Sequence, residues 1–210
     1  MIDSNIKKYD VHVAADIIPA DLPSRLAQLG FIAKPVLGSD PHVHVRHLWS
    51  LATPNKSSAD ECFVRTVTLL DETVGFRGYI EEEAIVHDSS IDLEQVSAPD
   101  PNFLETFSPS RAPHEGFKAC DLHASAVAIA PELAARFIAS GFYFLALEKS
   151  GGKQATVYTM QFMDMAAGKD AWRRLQAYLT ANGGFTGGLK FEVTINLKNY
   201  GFELPPVVAL

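Results

Sequence analysis

Asp10-Val11-His12 and the twenty residues that follow it recur 111 positions later, from Asp121-Leu122-His123. Without a gap the shift pairs Asp10 with Asp121, His12 with His123, Ala15 with Ala126 and Leu22 with Leu133. It also pairs Arg25 with Arg136, Gly30 with Gly141 and Phe31 with Phe142. Val11/Leu122, Asp21/Glu132 and Leu26/Phe137 add conservative pairs. A chain with this self-similarity reads as two copies of one supersecondary unit, each opening on an Asp-x-His strand.

Lys8 to Ala14 alternates, with Tyr9, Val11 and Val13 on one side and Asp10, His12 and Ala14 on the other, which predicts a strand with one polar face. Leu22, Leu26 and Leu29 then recur at helical spacing and Gly30 reads as the C-terminal cap. Strands follow over 31–37 and 42–49. On the second, His42, His44 and Arg46 lie opposite Val43, Val45, His47 and Trp49. Ser58 with Glu61 has capping-box form ahead of a helix carrying Phe63, Val67 and Leu70, and a strand over 79–86 closes the unit.

The second half repeats the order: strand 117–128, helix 131–140, strand 142–149, hairpin turn 150–153, strand 154–162, helix 170–181 and strand 189–197. GFRGYIEEE precedes the last strand of the first half and GFTGGLKFE that of the second. With one or two inserted residues, Glu81 falls opposite Glu192.

The order β-α-β-β-α-β, twice, predicts an α+β protein of two ferredoxin-like units. Each would be an antiparallel sheet with both helices on one face, and the two open faces are either solvated or packed on each other. The units are expected at 1–87 and 117–200, joined by a Ser-, Pro- and acid-rich linker at 88–116. That linker is long enough to carry structure around Phe103, Leu104 and Phe107. A tail at 201–210, with Pro205-Pro206, is expected to be irregular.

The formal charge of −7, with Lys and Arg scattered, argues against a nucleic-acid partner. No apolar stretch is long enough to span a bilayer, and the first ten residues lack the apolar run of a secretory signal, so a cytoplasmic protein is expected. Cys62 and Cys120 sit in apolar segments and read as reduced thiols; there is no C-x-x-C.

In a ferredoxin-like sheet, with spatial strand order 4-1-3-2, His12, His44 (or His42) and Glu81 fall on adjacent strands of the open face. Asp10 and Arg46 share that face. His123 and Glu192 take the matching places in the second unit, near Asp121, Thr159, Gln161 and Lys190. Imidazoles and a carboxylate converging from neighbouring strands can hold a divalent metal of Zn, Fe, Mn or Ni type and leave positions open. The candidate ligands are therefore His12, His44, Glu81, His123 and Glu192, with His12 and His123 as candidate catalytic groups. The competing reading makes both histidines hydrogen-bonded structural residues. His47, on the core side, reads as a core histidine. The parity of Glu82 points it inward, against the helices.

The pairing of His in the first strand with Glu in the last, in both halves, resembles the metal site of the vicinal oxygen chelate superfamily. That likeness implies ligation by His12, Glu81, His123 and Glu192, although the superfamily's β-α-β-β-β module lacks the second helix. Tyr9-x-x-His12 and Pro41-His42 resemble the DOPA 4,5-dioxygenase family, which implies a ferredoxin-like fold; its fuller His-Pro-x-x-Pro-His signature is absent. His123-Ala124-Ser125 is similar to the His-x-Thr/Ser of two-histidine phosphoesterases, whereas His12-Val13-Ala14 is not.

Three functional expectations follow. The first is a metal-dependent enzyme acting on a small molecule at the open sheet faces. The second is a non-catalytic binding or assembly protein, for which a homo-oligomer is compatible. The third is a metal-free hydrolase with the two histidines as acid and base.

Overall fold

The structure is a computed structural model that describes residues 8–36, 45–90, 102–107, 110–112, 119–150, 153–203 and 207–209. The first half runs β1 (Lys8–Ile17), α1 (Leu22–Gln28), β2 (Ile32–Lys34), β3 (His47–Thr53), α2 (Lys56–Asp71) and β4 (Arg77–Ser90). A short helix α3 (Phe103–Thr106) and strand β5 (Ser110–Ala112) follow. The second half runs β6 (Cys120–Ile129), α4 (Pro131–Ala139), β7 (Tyr143–Ser150), β8 (Lys153–Phe162), α5 (Met165–Asn182) and β9 (Phe185–Asn199), and β10 (Val207–Ala209) is the last described element.

All ten strands belong to one sheet, in the order β2-β3-β1-β4-β9-β6-β8-β10-β5, with β7 paired to β8. Within each half the last strand lies beside the first and the first beside the third. The halves join where β4 pairs antiparallel with β9, so neither of these strands is a free edge. The sheet curls until β2 approaches β7. Except for the parallel β10–β8 pair, its neighbours are antiparallel.

Alternation along the strands separates the two faces. Val11 and Val13 of β1, Trp49 of β3 and Ile80 of β4 pack with Leu22, Leu26, Ala59 and Leu70 of α1 and α2. Leu122 and Ala124 of β6, Met160 of β8 and Phe191 of β9 do the same with Phe137, Leu175 and Tyr178 of α4 and α5. The helices thus cover the outer face, and the polar sides of β1, β4, β6 and β9 turn inward. No helix among the described residues is long and apolar enough to cross a membrane.

Several boundaries differ from the sequence reading, each for a local reason. Helix α2 is capped by Asn55, whose side chain accepts from the Ser58 N–H, so Ser58 lies inside the first turn. Helix α5 starts at Met165 on an Asp164 cap, well before residue 170. Gly168 hides that start by interrupting the helical pattern. It is the one residue that fits, because a Cβ there would stand 2.4 Å from Cys120 Sγ and 2.9 Å from Phe191 Cε2. The tail forms β10, which pairs with β5 and touches the end of β8. Phe103 and Leu104, between the halves, are buried in the second core. Gly30, read as a cap, and its counterpart Gly141 follow their helices with φ of +96° and +95°, the left-handed geometry that glycine takes without strain. Both cysteines are free thiols.

Candidate functional site

The inner face of the curled sheet encloses a narrow cavity of about 50 Å³. Residues of both halves line it: His12, Glu81 and Glu83 from the first, Asp121, His123, Lys190 and Glu192 from the second. Lys34 of β2 and Tyr143 of β7 meet there because the sheet curls. Val45, Leu48, Tyr79 and Val157 supply apolar wall.

Strand register sets the arrangement. On β1 and β4, His12 lies opposite Glu81 and Asp10 opposite Glu83. On β6 and β9, His123 lies opposite Lys190 and Asp121 opposite Glu192. Glu192 is therefore the counterpart of Glu83, and Lys190 that of Glu81. This corrects the pairing of Glu81 with Glu192. A slip of two residues keeps side chains on the same face, so parity could not separate Glu81 from Glu83. GFRGYIEEE and GFTGGLKFE in fact align without an insertion.

The ion pairs follow the same register. His12 Nε2 is 3.4 Å from Glu83 Oε2, and His123 Nε2 is 2.6 Å from Glu192 Oε2. His123 Nδ1 shares a 2.8 Å hydrogen bond with the Thr159 hydroxyl, and Asp121 Oδ2 is 3.9 Å from its Nε2. Burial disfavours the imidazolium of His123. The Glu192 carboxylate, its hydrogen bond and Asp121 outweigh that and raise the His123 pKa above the ordinary histidine value. In the protonated form both ring nitrogens donate, one to Glu192 and one to Thr159.

Lys190 ties the halves together. Its Nζ lies 2.5 Å from Glu192 Oε1 and 2.9 Å from Asp10 Oδ2. Burial opposes its charge, but the two carboxylates win and hold its pKa above the usual lysine range. For Glu192 burial favours the neutral acid. Lys190, His123 and His12 prevail, and its pKa is well below the ordinary carboxylate value.

Asp10, His12 and Glu192 each place a ligand atom within 4.8 Å of the other two, a group that could hold a metal ion. Asp10 Oδ1 and His12 Nδ1 are buried without a hydrogen-bond partner, which leaves each residue a donor atom for such an ion. Of the predicted ligands, His12 and Glu192 are in this group. Glu81 lines the same cavity, opposite His12. His123 lines it too, but both its nitrogens are engaged. His42 and His44 lie outside the described residues. His47 is half-buried and stacks on Trp49, with ring centroids 5.8 Å apart. Asp10 and Glu83 were absent from the predicted ligand set, although the alternation of their strands already placed them on the polar face.

On the other side of β4, Glu82 is buried under α2, as its parity indicated. It accepts from Asn196 Nδ2 at 2.7 Å and lies 3.7 Å from Lys56 Nζ. Desolvation raises its pKa, against the hydrogen bond from Asn196 and the charge of Lys56.

No protein-family model matches the chain, and no curated protein matches it. Among solved structures, the chlorite dismutase from Candidatus Nitrospira defluvii aligns in its R173K mutant at 8% identity and a TM-score of 0.26, over 92% of this chain and 93% of that one. The R173A mutant aligns at 8% identity and a TM-score of 0.26, over 90% and 92%. A TM-score of that size assigns neither a fold nor an activity.

Proposed function

We propose that the chain is a metal-dependent enzyme acting on a small molecule inside the curled sheet, with a divalent ion held by Asp10, His12 and Glu192. The observation that carries this reading is the convergence of those three ligand atoms beside a buried carboxylate oxygen and a buried imidazole nitrogen that have no hydrogen-bond partner. Cavity charge points the same way. Glu81, Glu83, Asp121 and Glu192 of the lining, with Asp10 within reach of His12 and Glu192, give five carboxylates against two lysines and two histidines. With every group ionised and both imidazoles protonated the site is still anionic, and a buried excess of negative charge favours a cation. Two carboxylates and one imidazole suit Mn, Fe or Zn better than a softer ion.

Such an ion supplies Lewis acidity and an acidified bound water. The chain's own residues supply the rest. The His123 imidazolium, donating to Thr159 and to Glu192, holds the Glu192 carboxylate in position and keeps it ionised. The Lys190 ammonium stabilises negative charge developing beside it. The apolar wall of Tyr79, Leu48 and Val157 limits water. The matched order of elements and the Asp-x-His strands support a tandem duplication as the origin of the two halves.

Equilibrium dialysis against Mn²⁺, Fe²⁺ and Zn²⁺ tests the reading. One ion per chain is expected, lost in His12→Ala and Asp10→Asn while the circular dichroism spectrum is kept. A folded wild-type protein that binds none of the three overturns it.

A second reading is a metal-free acid–base enzyme built on His123 and Glu192. It is favoured by Lys190, which already neutralises Asp10 and Glu192. It predicts turnover that survives exhaustive chelation.

A further inference from the structure

Both carboxylate oxygens of Glu192 are engaged. Oε1 lies 2.5 Å from Lys190 Nζ and Oε2 lies 2.6 Å from His123 Nε2. The same ammonium donates to Asp10 Oδ2 at 2.9 Å. It therefore lies on two of the three residues whose ligand atoms converge, Asp10 and Glu192. Resting on the metal-binding reading above, we propose that Lys190 is an internal competitor for the ion. Its ammonium and a divalent ion exclude each other at Asp10 and Glu192, so the ion binds only when the lysine side chain turns away.

Three features support this. The first is charge: an ammonium and a divalent ion held on the same two buried carboxylates repel each other at short range, where water screens them poorly. The second is mobility. The Lys190 side chain is 26% exposed on a flexible four-carbon stem, whereas those of Asp10 and Glu192 are 9% and 2% exposed. The cation can leave and the carboxylates cannot. Asp121, diagonal to Lys190 across β6 and β9, and Glu81 line the same cavity, so a displaced ammonium meets other carboxylates without leaving it. The third is what the lysine leaves open. Asp10 Oδ1 and His12 Nδ1 have no hydrogen-bond partner, so an arriving ion finds two donor atoms ready. The contact it must win is the one between Lys190 and Glu192, while His123 keeps Oε2 of that carboxylate in place. Lys190 thus sets the affinity of the site.

The test is calorimetric titration of Mn²⁺ into the wild type and Lys190→Gln. The variant is expected to bind the same single ion, tighter by about tenfold or more. Damage to the fold would weaken binding, so a gain in affinity separates competition from a structural role of the lysine. A wild type that binds one ion and a folded variant that binds it no more tightly overturn the inference and leave the metal-binding reading standing. Binding by the variant alone supports competition and overturns that reading for the wild-type protein. Should Lys190→Gln fail to fold, the wild type carries the test through the NMR signal of the Lys190 Cε, assigned through the backbone. Saturating Zn²⁺ is expected to shift it, and a signal unmoved with the ion bound overturns the inference. No ion bound to the wild type or to any folded Lys190 variant overturns the reading and the inference together.

Discussion

Lys190 Nζ donates a 2.9 Å hydrogen bond to Asp10 Oδ2, joining the last long strand of the chain to the first across 180 residues. Through the same ammonium, Glu192 and Asp10 share one counter-ion inside the cavity. Removing it leaves two buried carboxylates facing each other. Lys190→Met is expected to lower the unfolding free energy of the metal-free protein by about 3–5 kcal/mol. Asp10→Asn in the Lys190→Met background should recover part of the loss. A double-mutant cycle by urea denaturation measures this coupling; additive effects would contradict the pairing.

Thr159 orients His123. Thr159→Val leaves a buried ring N–H without an acceptor, at a cost of about 1–3 kcal/mol. Thr159→Ser keeps the hydroxyl and should cost less. Denaturation midpoints of the two variants decide the matter, and equal losses would mean the hydroxyl is not what matters.

Burial raises the pKa of Glu82, against Asn196 and Lys56. For an acid whose folded pKa lies above its unfolded value, its contribution to stability is fully present below the unfolded pKa. It is lost as pH rises through the folded pKa. Glu82→Gln keeps an acceptor for Asn196 and removes the buried charge. The variant is expected to be more stable than the wild type at pH 7 by about 1 kcal/mol or more, with the advantage vanishing near pH 4. Thermal melts across that range measure it.

Gly168→Ala tests the contact of α5 with the sheet. Alanine favours an exposed helix by ~1 kcal/mol over glycine, but here the new methyl meets Cys120 and Phe191 at well under van der Waals distance. Net destabilisation of about 1–3 kcal/mol is expected from overpacking. A rise in the melting temperature would show that α5 can move outward freely.

Much of the architecture is legible in local pattern. Alternation in Tyr9–Ala14 separates Val11 and Val13 from Asp10 and His12, and the structure puts the first pair under the helices, His12 in the cavity wall and Asp10 beside it. Leu22, Leu26 and the φ-positive Gly30 mark α1 and its end. Local pattern fails where one residue serves a distant contact. Gly168 reads as a helix breaker, yet it is glycine because β6 and β9 pass close beneath it. The tail reads as irregular, yet it finds β5, which lies far back in the chain.

The candidate site divides in the same way. The period of two along a strand is a property of the strand itself, so the sequence alone determined which residues share the polar face: Asp10, His12, Glu81 and Glu83 in one half, Asp121, His123, Lys190 and Glu192 in the other. Which acid meets which histidine depends on register between strands, and a two-residue slip leaves parity unchanged. The pairing of Glu83 with His12 was therefore decided only in the folded sheet. The pairing of β4 with β9 and the curl that brings Lys190 to Asp10 are contacts between halves that no local periodicity encodes. Tertiary structure alone turned two polar faces into one cavity.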